Sequence, residues 1–170
     1  MQKKFELKPL SHEAIPAALE RAMRYRLLNE PLQAESVCRD VLEIEPENQE
    51  ALKILILALT DQFPDQIAKP FAEATRLADQ LVSEYEKVYH FGIICERRAH
   101  AHRRRASPDS GGIAYHWYHE AMENYEAAEK LRPAGNDESL LRWNSCARVL
   151  MRFSNLKPMP QTEAPPIQLE

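Results

Sequence analysis

Glycine and long apolar runs are scarce in this sequence. Only 4 of its 170 residues are glycine, while the strong helix formers Ala, Leu, Glu and Arg are common, and this composition favours helix over sheet. The longest apolar run covers residues 54–59, far too short to cross a bilayer. The first ten residues, MQKKFELKPL, hold no apolar stretch of the kind that a secretory signal needs. We therefore predict an all-α protein that is cytoplasmic and has no membrane partner.

Cysteine is rare and net positive charge is absent. The three cysteines, Cys38, Cys95 and Cys146, lie far apart with no CxxC pair, which predicts reduced and packed thiols. A net charge of −4 gives no overall reason to expect nucleic acid binding. The chain also lacks an HExxH motif, a Ser/His/Asp arrangement and a glycine-rich phosphate loop. We expect no catalytic activity and no cofactor.

One helical pattern is written twice in the chain. Residues 34–46 read AESVCRDVLEIEP and residues 121–133 read AMENYEAAEKLRP. Each segment begins with a small residue, has packing positions four and seven residues later on the same helix face, and ends on proline. The small residue lets a neighbouring helix approach closely. The proline ends the helix, because it lacks a backbone N–H and its ring clashes with the preceding turn.

This pattern resembles the second helix of a tetratricopeptide repeat, a helix hairpin of ~34 residues. The resemblance covers roughly residues 15–152 and implies an α-α superhelix of three hairpins with a C-terminal capping helix. The hairpins are expected near residues 15–48, 49–82 and 85–135, the cap over 137–153, and the whole repeat domain over 13–154. Residues 1–12 are expected to form a lead-in, and the proline-rich residues 155–170 a disordered tail.

The third repeat departs from the standard length. Gly92 and Ala121 are 29 residues apart, where a standard repeat has ~12, so we predict a long hairpin that projects beyond the body. Glycine inside a helix costs ~1 kcal/mol relative to alanine, and its presence at position 92 indicates close contact with another helix. Ser83 and Glu86 form an S-x-x-E capping box at the start of this repeat.

The resemblance further implies a concave groove lined by the first helix of each hairpin. Its apolar strip would consist of Met23, Leu57 and Ile93, and would be widest where Leu19 adjoins Met23. Such a groove suits an extended segment or an amphipathic helix of a partner protein. The alternative is that the protein's own N-terminal segment or tail covers the strip. The residues implied to form the groove are Leu19, Met23, Arg26, Lys53, Leu57, Tyr89, Ile93 and Glu96.

Histidine is concentrated in the third repeat, which holds five of the six in the chain. Glu96 with His100, and His116 with Glu120, stand four residues apart on two helices expected to be antiparallel, a spacing from which a metal site can be built. The apolar stripes of the two helices, however, place His100 and His116 away from the shared interface. A metal site is therefore the less favoured alternative.

One basic cluster follows in the same repeat. It consists of Arg97, Arg98, Arg103, Arg104 and Arg105. The simpler interpretation is a charged helix end, because the helix dipole stabilises each cation there by ~0.3–1 kcal/mol. The other interpretation is a patch for an acidic partner or nucleic acid, with Tyr115, Trp117 and Tyr118 nearby as stacking surfaces.

The leading hypothesis is a non-catalytic interaction module or scaffold that binds a peptide or helix of a partner protein. The sequence does not identify that partner, and it leaves open whether the chain forms a homo-oligomer. The alternatives are metal binding through the third repeat, and binding of nucleic acid or an acidic partner through the arginine cluster.

Overall fold

The computed structural model describes residues 5–160, and all regular structure in that part of the chain is helical. A short 3-10 helix, His12–Ala14, leads into seven α-helices. Their bounds are α1 Ile15–Leu27, α2 Pro31–Ile44, α3 Gln49–Thr60, α4 Ala68–Ala78, α5 Glu84–Arg103, α6 Ser110–Leu131 and α7 Glu138–Arg152. The all-α prediction is confirmed. Over the described residues, none of the helices combines the length and the apolar character needed to cross a membrane.

The helices pack in chain order. Each helix from α1 to α6 contacts the next one along the chain, and α3 also contacts both α1 and α5. The first six helices therefore form three hairpins, α1–α2, α3–α4 and α5–α6, whose first helices lie side by side. Helix α7 follows as a single helix against α6.

Side-chain caps and prolines define several helix starts. Asn48 accepts a hydrogen bond of 2.9 Å from the backbone N–H of Ala51 at the start of α3, and Ser83 accepts one of 3.3 Å from Glu86 at the start of α5. Pro31 opens α2, where its missing N–H has no partner to lose. Glu86 departs from the predicted capping box, because its carboxylate instead contacts His90, with Nδ1 at 3.2 Å.

The core has two large parts that meet along α5. The first joins α1 to α5 around Ile56 and Phe63, both 0% exposed. The second joins α5, α6 and α7 around Tyr118 and Tyr125. All three cysteines are buried, and burial raises the pKa of each thiol to about 12. The predicted packed and reduced thiols are thus what the structure contains.

The α5–α6 hairpin is long, as predicted, but it does not stand free of the body. Phe71 of α4 packs edge-on against Trp117 of α6, with ring centroids 5.4 Å apart. Leu156, beyond the end of α7, is only 5% exposed and belongs to the α5–α7 core. The backbone oxygen of Asn155 lies so close to Gly111 that a Cβ there would come within 2.5 Å of it. The domain therefore extends past the expected boundary at residue 154, whereas residues 161–170 of the expected tail lie outside the described part.

Candidate binding surface on helices α1, α3 and α5

The residues predicted to line a groove fall on three neighbouring helices. Helix α1 carries Leu19, Met23 and Arg26, α3 carries Lys53 and Leu57, and α5 carries Tyr89, Ile93 and Glu96. Because α3 contacts both α1 and α5, the structure brings this set to one region of the molecule. The two ends of that region differ in how far they are accessible.

At the α1 end the surface is open and apolar. Leu19, Met23 and Leu27 follow one another at intervals of four residues, so they share a face of the helix. With Ile54 of α3 they line a groove of about 440 Å³. Leu27 is 84% exposed and Met23 is 36% exposed. We define this as the apolar groove; its full lining is Leu19, Glu20, Met23, Arg24, Leu27, Glu50 and Ile54.

At the α5 end the predicted apolar strip is closed. Ile93 is only 2% exposed and is part of the α5–α7 core, so its assignment to an accessible groove is wrong. Leu57 is half-buried and packs against the same core. The physical reason is the position of α7, whose Cys146 lies in the same core. Its Arg142 also donates hydrogen bonds of 3.1 Å both to the hydroxyl of Tyr89 and to the carboxylate of Glu96.

One acidic residue, which the sequence analysis did not identify, contacts arginines of both α1 and α5. Asp61, directly after α3, accepts hydrogen bonds from Arg26 at 2.7 and 3.3 Å, and Arg97 of α5 approaches it to 3.6 Å. Arg26 is therefore held in an ion pair. A signal was present in the sequence. Asp61 follows Leu57 of the implied apolar strip by four residues, a spacing that places two residues on the same helix face.

The five arginines of the basic cluster separate into two groups. Arg98 lies between Phe71 and Trp117, with its guanidinium carbon 4.0 Å from each ring centroid. Arg103 stacks on Phe153 at 4.6 Å. These two side chains hold helices together, and burial lowers the pKa of Arg98.

The other three arginines, Arg97, Arg104 and Arg105, share a second concavity. This concavity, which we call the basic cleft, has a volume of about 430 Å³. It lies where α1 and α3 end against the side of α5. Burial first, and then the neighbouring arginines, lower the pKa of His100 in its wall. The complete lining is Asn29, Thr60, Asp61, Pro64, Arg97, His100, Ala101, Arg104 and Arg105.

The structure does not assemble the metal ligands considered from sequence. Within residues 5–160, no group of three or more His, Cys, Asp or Glu side chains is placed to hold a metal ion. Glu96 is instead occupied by Tyr125 and Arg142. His100 and His116 are both exposed, in agreement with the apolar stripes of their helices.

Comparisons with family models, curated proteins and solved structures found no match to this chain. The class of protein is therefore defined by the structure alone, which over residues 5–160 consists of three consecutive helical hairpins and a final single helix.

Proposed function

We propose that this chain is a tetratricopeptide-like repeat protein, an α-α superhelix that acts as a non-catalytic interaction module. The three hairpins that pack in chain order, with their first helices adjacent, support this assignment. So does α7, which covers the last hairpin as a capping helix does. The repeated spacing of residues 34–46 and 121–133 falls on α2 and α6, the second helices of the first and third hairpins.

The observation that carries the proposal is the apolar groove on α1 and α3. Its stripe Leu19, Met23 and Leu27 ends in a leucine that is 84% exposed. Fully burying such a side chain gains about 1.5–3 kcal/mol, so a partner that covers Leu27 and Met23 is stabilised mainly by apolar contact. The stripe runs from Leu19 to Leu27, eight residue steps of helix or about 12 Å, which matches a short segment rather than a folded domain.

The charged residues at the rim of the groove indicate which side chains the partner segment has beside its apolar ones. Glu20 and Glu50 flank the apolar stripe together with Arg24, and Lys53 is paired with Glu50 at 3.1 Å. A rim of mixed charge contributes register rather than strong attraction. We therefore propose a partner peptide with one or two large apolar side chains and polar residues beside them.

A peptide selection tests this function. Random twelve-residue peptides displayed on phage are selected on the full chain, and the enriched sequences are synthesised and titrated by fluorescence anisotropy. The double variant Met23→Glu/Leu27→Glu places charges on two accessible side chains and is expected to weaken binding at least about tenfold, a loss of about 1.4 kcal/mol. A variant of Ile93 is unsuitable, because that residue is in the core.

The matched control is Leu141→Glu/Met151→Glu on α7, since these two side chains are 58% and 78% exposed and lie elsewhere on the surface. Circular dichroism shows whether both variants keep the helical content of the unmodified chain. Peptides that bind the groove variant as tightly as the unmodified chain, or a selection without enrichment, would refute the groove.

A further inference from the structure

We propose that the basic cleft binds the phosphate group of a phosphorylated serine or threonine in the partner segment. This inference rests on the proposed function, because it names a second recognition element for the same ligand. Three guanidinium groups line one concavity, and arginine matches phosphate in both geometry and charge.

The cleft has an excess of positive charge, which suits a dianion. Asp61 is the acidic residue in the lining, and its carboxylate is already bound by Arg26 at 2.7 Å. Arg97 lies farther from it, at 3.6 Å, with 40% of its side chain exposed. Arg104 and Arg105 are exposed and form no ion pair with any residue between 5 and 160. A phosphoserine carries about −1.5 to −2 charges at neutral pH.

The helical geometry directs these groups to one place. Arg97 and His100 lie on α5, and Arg104 follows directly after its end in helical conformation. The three stand three and four residues apart, so they project from the same face. Arg98 is one residue further along from Arg97, and its side chain instead lies between two aromatic rings. The periodicity of α5 thus separates Arg97, which lines the cleft, from Arg98, which stabilises the fold.

The carbonyl groups at the end of α3 do not account for the arginines of the cleft. Helix α3 ends at the cleft, and all four of its terminal carbonyls, residues 57–60, already accept hydrogen bonds. Their donors are the backbone N–H groups of Asp61, Gln62 and Phe63 and the side-chain amide of Gln62. These carbonyls therefore do not require the guanidinium groups as partners.

The apolar groove and the basic cleft adjoin each other along two helices. Leu27 lines the groove and Asn29 lines the cleft, two residues further along the chain. On the neighbouring helix, Ile54 lines the groove and Asp61 the cleft. Those seven residues correspond to about 10 Å. An extended segment crosses that distance in about three residues and a helical one in about seven, so the phosphorylated residue lies at one of these spacings from the apolar anchor.

The cleft is tested first with phosphate alone. Sodium phosphate at pH 7 is titrated into the ¹⁵N-labelled full chain at constant ionic strength, with sodium chloride as the balancing salt. We expect saturable shifts at the amides of Asn29, Thr60 and Ala101, with a dissociation constant in the millimolar range. The variant Arg97→Gln/Arg104→Gln should lose them, whereas Arg21→Gln/Arg148→Gln, which removes the same charge from exposed positions, should keep them.

The ligand is tested with synthetic peptide arrays that fix phosphoserine at the centre and randomise its neighbours, alongside arrays with serine at that position. We expect selection of an apolar residue at one of the two stated spacings, and at least tenfold weaker binding of the serine peptides. The Arg97→Gln/Arg104→Gln variant should lose the preference for phosphoserine and keep the apolar preference. The Met23→Glu/Leu27→Glu variant should show the reverse, so failure of the cleft and failure of the groove give different results.

Three outcomes would overturn the inference. One is the absence of saturable phosphate shifts at the cleft, or equal shifts in the Arg97→Gln/Arg104→Gln variant. A second is equal binding of serine and phosphoserine peptides. The third is a single-stranded oligouridylate that binds through the same arginines more tightly than any phosphopeptide, which would assign the cleft to nucleic acid.

Discussion

The hydroxyl of Tyr125 donates a hydrogen bond of 2.5 Å to the same carboxylate oxygen of Glu96 that accepts one of 3.1 Å from Arg142. These residues belong to α6, α5 and α7, so one oxygen joins three helices. Burial first, and then the Glu96 carboxylate, raise the pKa of Tyr125 well above its usual value, which keeps its hydroxyl a donor throughout the physiological range. The network fixes α7 over the α5 end of the surface.

Replacing Glu96 with glutamine should destabilise the fold. The amide keeps the size of the carboxylate but loses its charge, and hydrogen bonds to a charged group contribute about 1.5–3 kcal/mol. We expect the free energy of unfolding, measured by urea denaturation, to fall by about that amount. Glu123→Gln, at an exposed position on α6, is the control and should stay within about 0.5 kcal/mol. Equal stability of the two variants would contradict the role of the network.

Gly92→Ala should destabilise the chain despite the better helix propensity of alanine. A Cβ at position 92 would come 2.5 Å from a ring carbon of Tyr125, and that ring is 0% exposed with its hydroxyl bound to Glu96. Overpacking costs about 1–3 kcal/mol, against a propensity gain of about 1 kcal/mol. The check is a double-mutant cycle with Tyr125→Leu, in which removal of the ring should make Gly92→Ala neutral or favourable. A cost that persists without the ring would point to another cause.

Arg98→Ala and Arg105→Ala should behave differently although both remove an arginine from the same cluster. Arg98 lies between Phe71 and Trp117, and a desolvated cation–π contact contributes about 2 kcal/mol. Arg105 is exposed, so its loss should leave stability within about 0.5 kcal/mol. Thermal unfolding followed by circular dichroism measures both. A melting temperature lowered equally by the two substitutions would show that net charge, rather than stacking, is responsible.

Leu156→Ala should lower stability by about 2 kcal/mol, the lower end of the range for buried leucines. Leu156 is 5% exposed and lies in the α5–α7 core, although it follows the last helix. Lys157→Ala, at the next and exposed position, is the matched control. If chemical denaturation gives the same midpoint for both variants, the domain ends with α7 and not beyond it.

The three thiols should be unreactive in the folded chain. Burial raises the pKa of Cys38, Cys95 and Cys146 from the usual value near 9 to about 12, and the reactive species is the thiolate. Ellman's reagent at pH 8 should label none of them until guanidinium is added, and then all three. The unfolded chain releases these protons above pH 9 while the folded chain retains them, so stability should fall as pH rises beyond 9. Rapid labelling of the native chain would show that a thiol is exposed.

Helix periodicity predicted the parts of this structure that depend on local pattern. The paired segments at 34–46 and 121–133 lie on α2 and α6 up to their prolines, which each follow the helix end by two residues. Gly92 does mark a close helix contact. The sites of His100 and His116 on the exposed sides of their helices also follow from periodicity. Each of these features is set within one helix or one hairpin.

The features that sequence did not predict depend on contacts between distant segments. Ile93 was assigned to an open groove, but it is buried in a core that it shares with Cys146 of α7, 53 residues later. The packing of Leu156 depends on the fold of α5 and α6. The division of the arginine cluster into two groups depends on Phe71 of α4, whose ring packs against the ring of Trp117. The spacing of the arginines along the sequence does not predict the contact with Phe71.

The closure of the α5 end by α7 has a kinetic consequence. With Tyr89 and Glu96 held by Arg142, a ligand is left with the short stretch from α1 to the side of α5, and so with a small contact area. Small interfaces belong to transient encounters, and differences in their affinity arise chiefly from the dissociation rate. A partner segment on this surface would therefore exchange quickly, and a phosphate added at the basic cleft would act by lengthening its residence time.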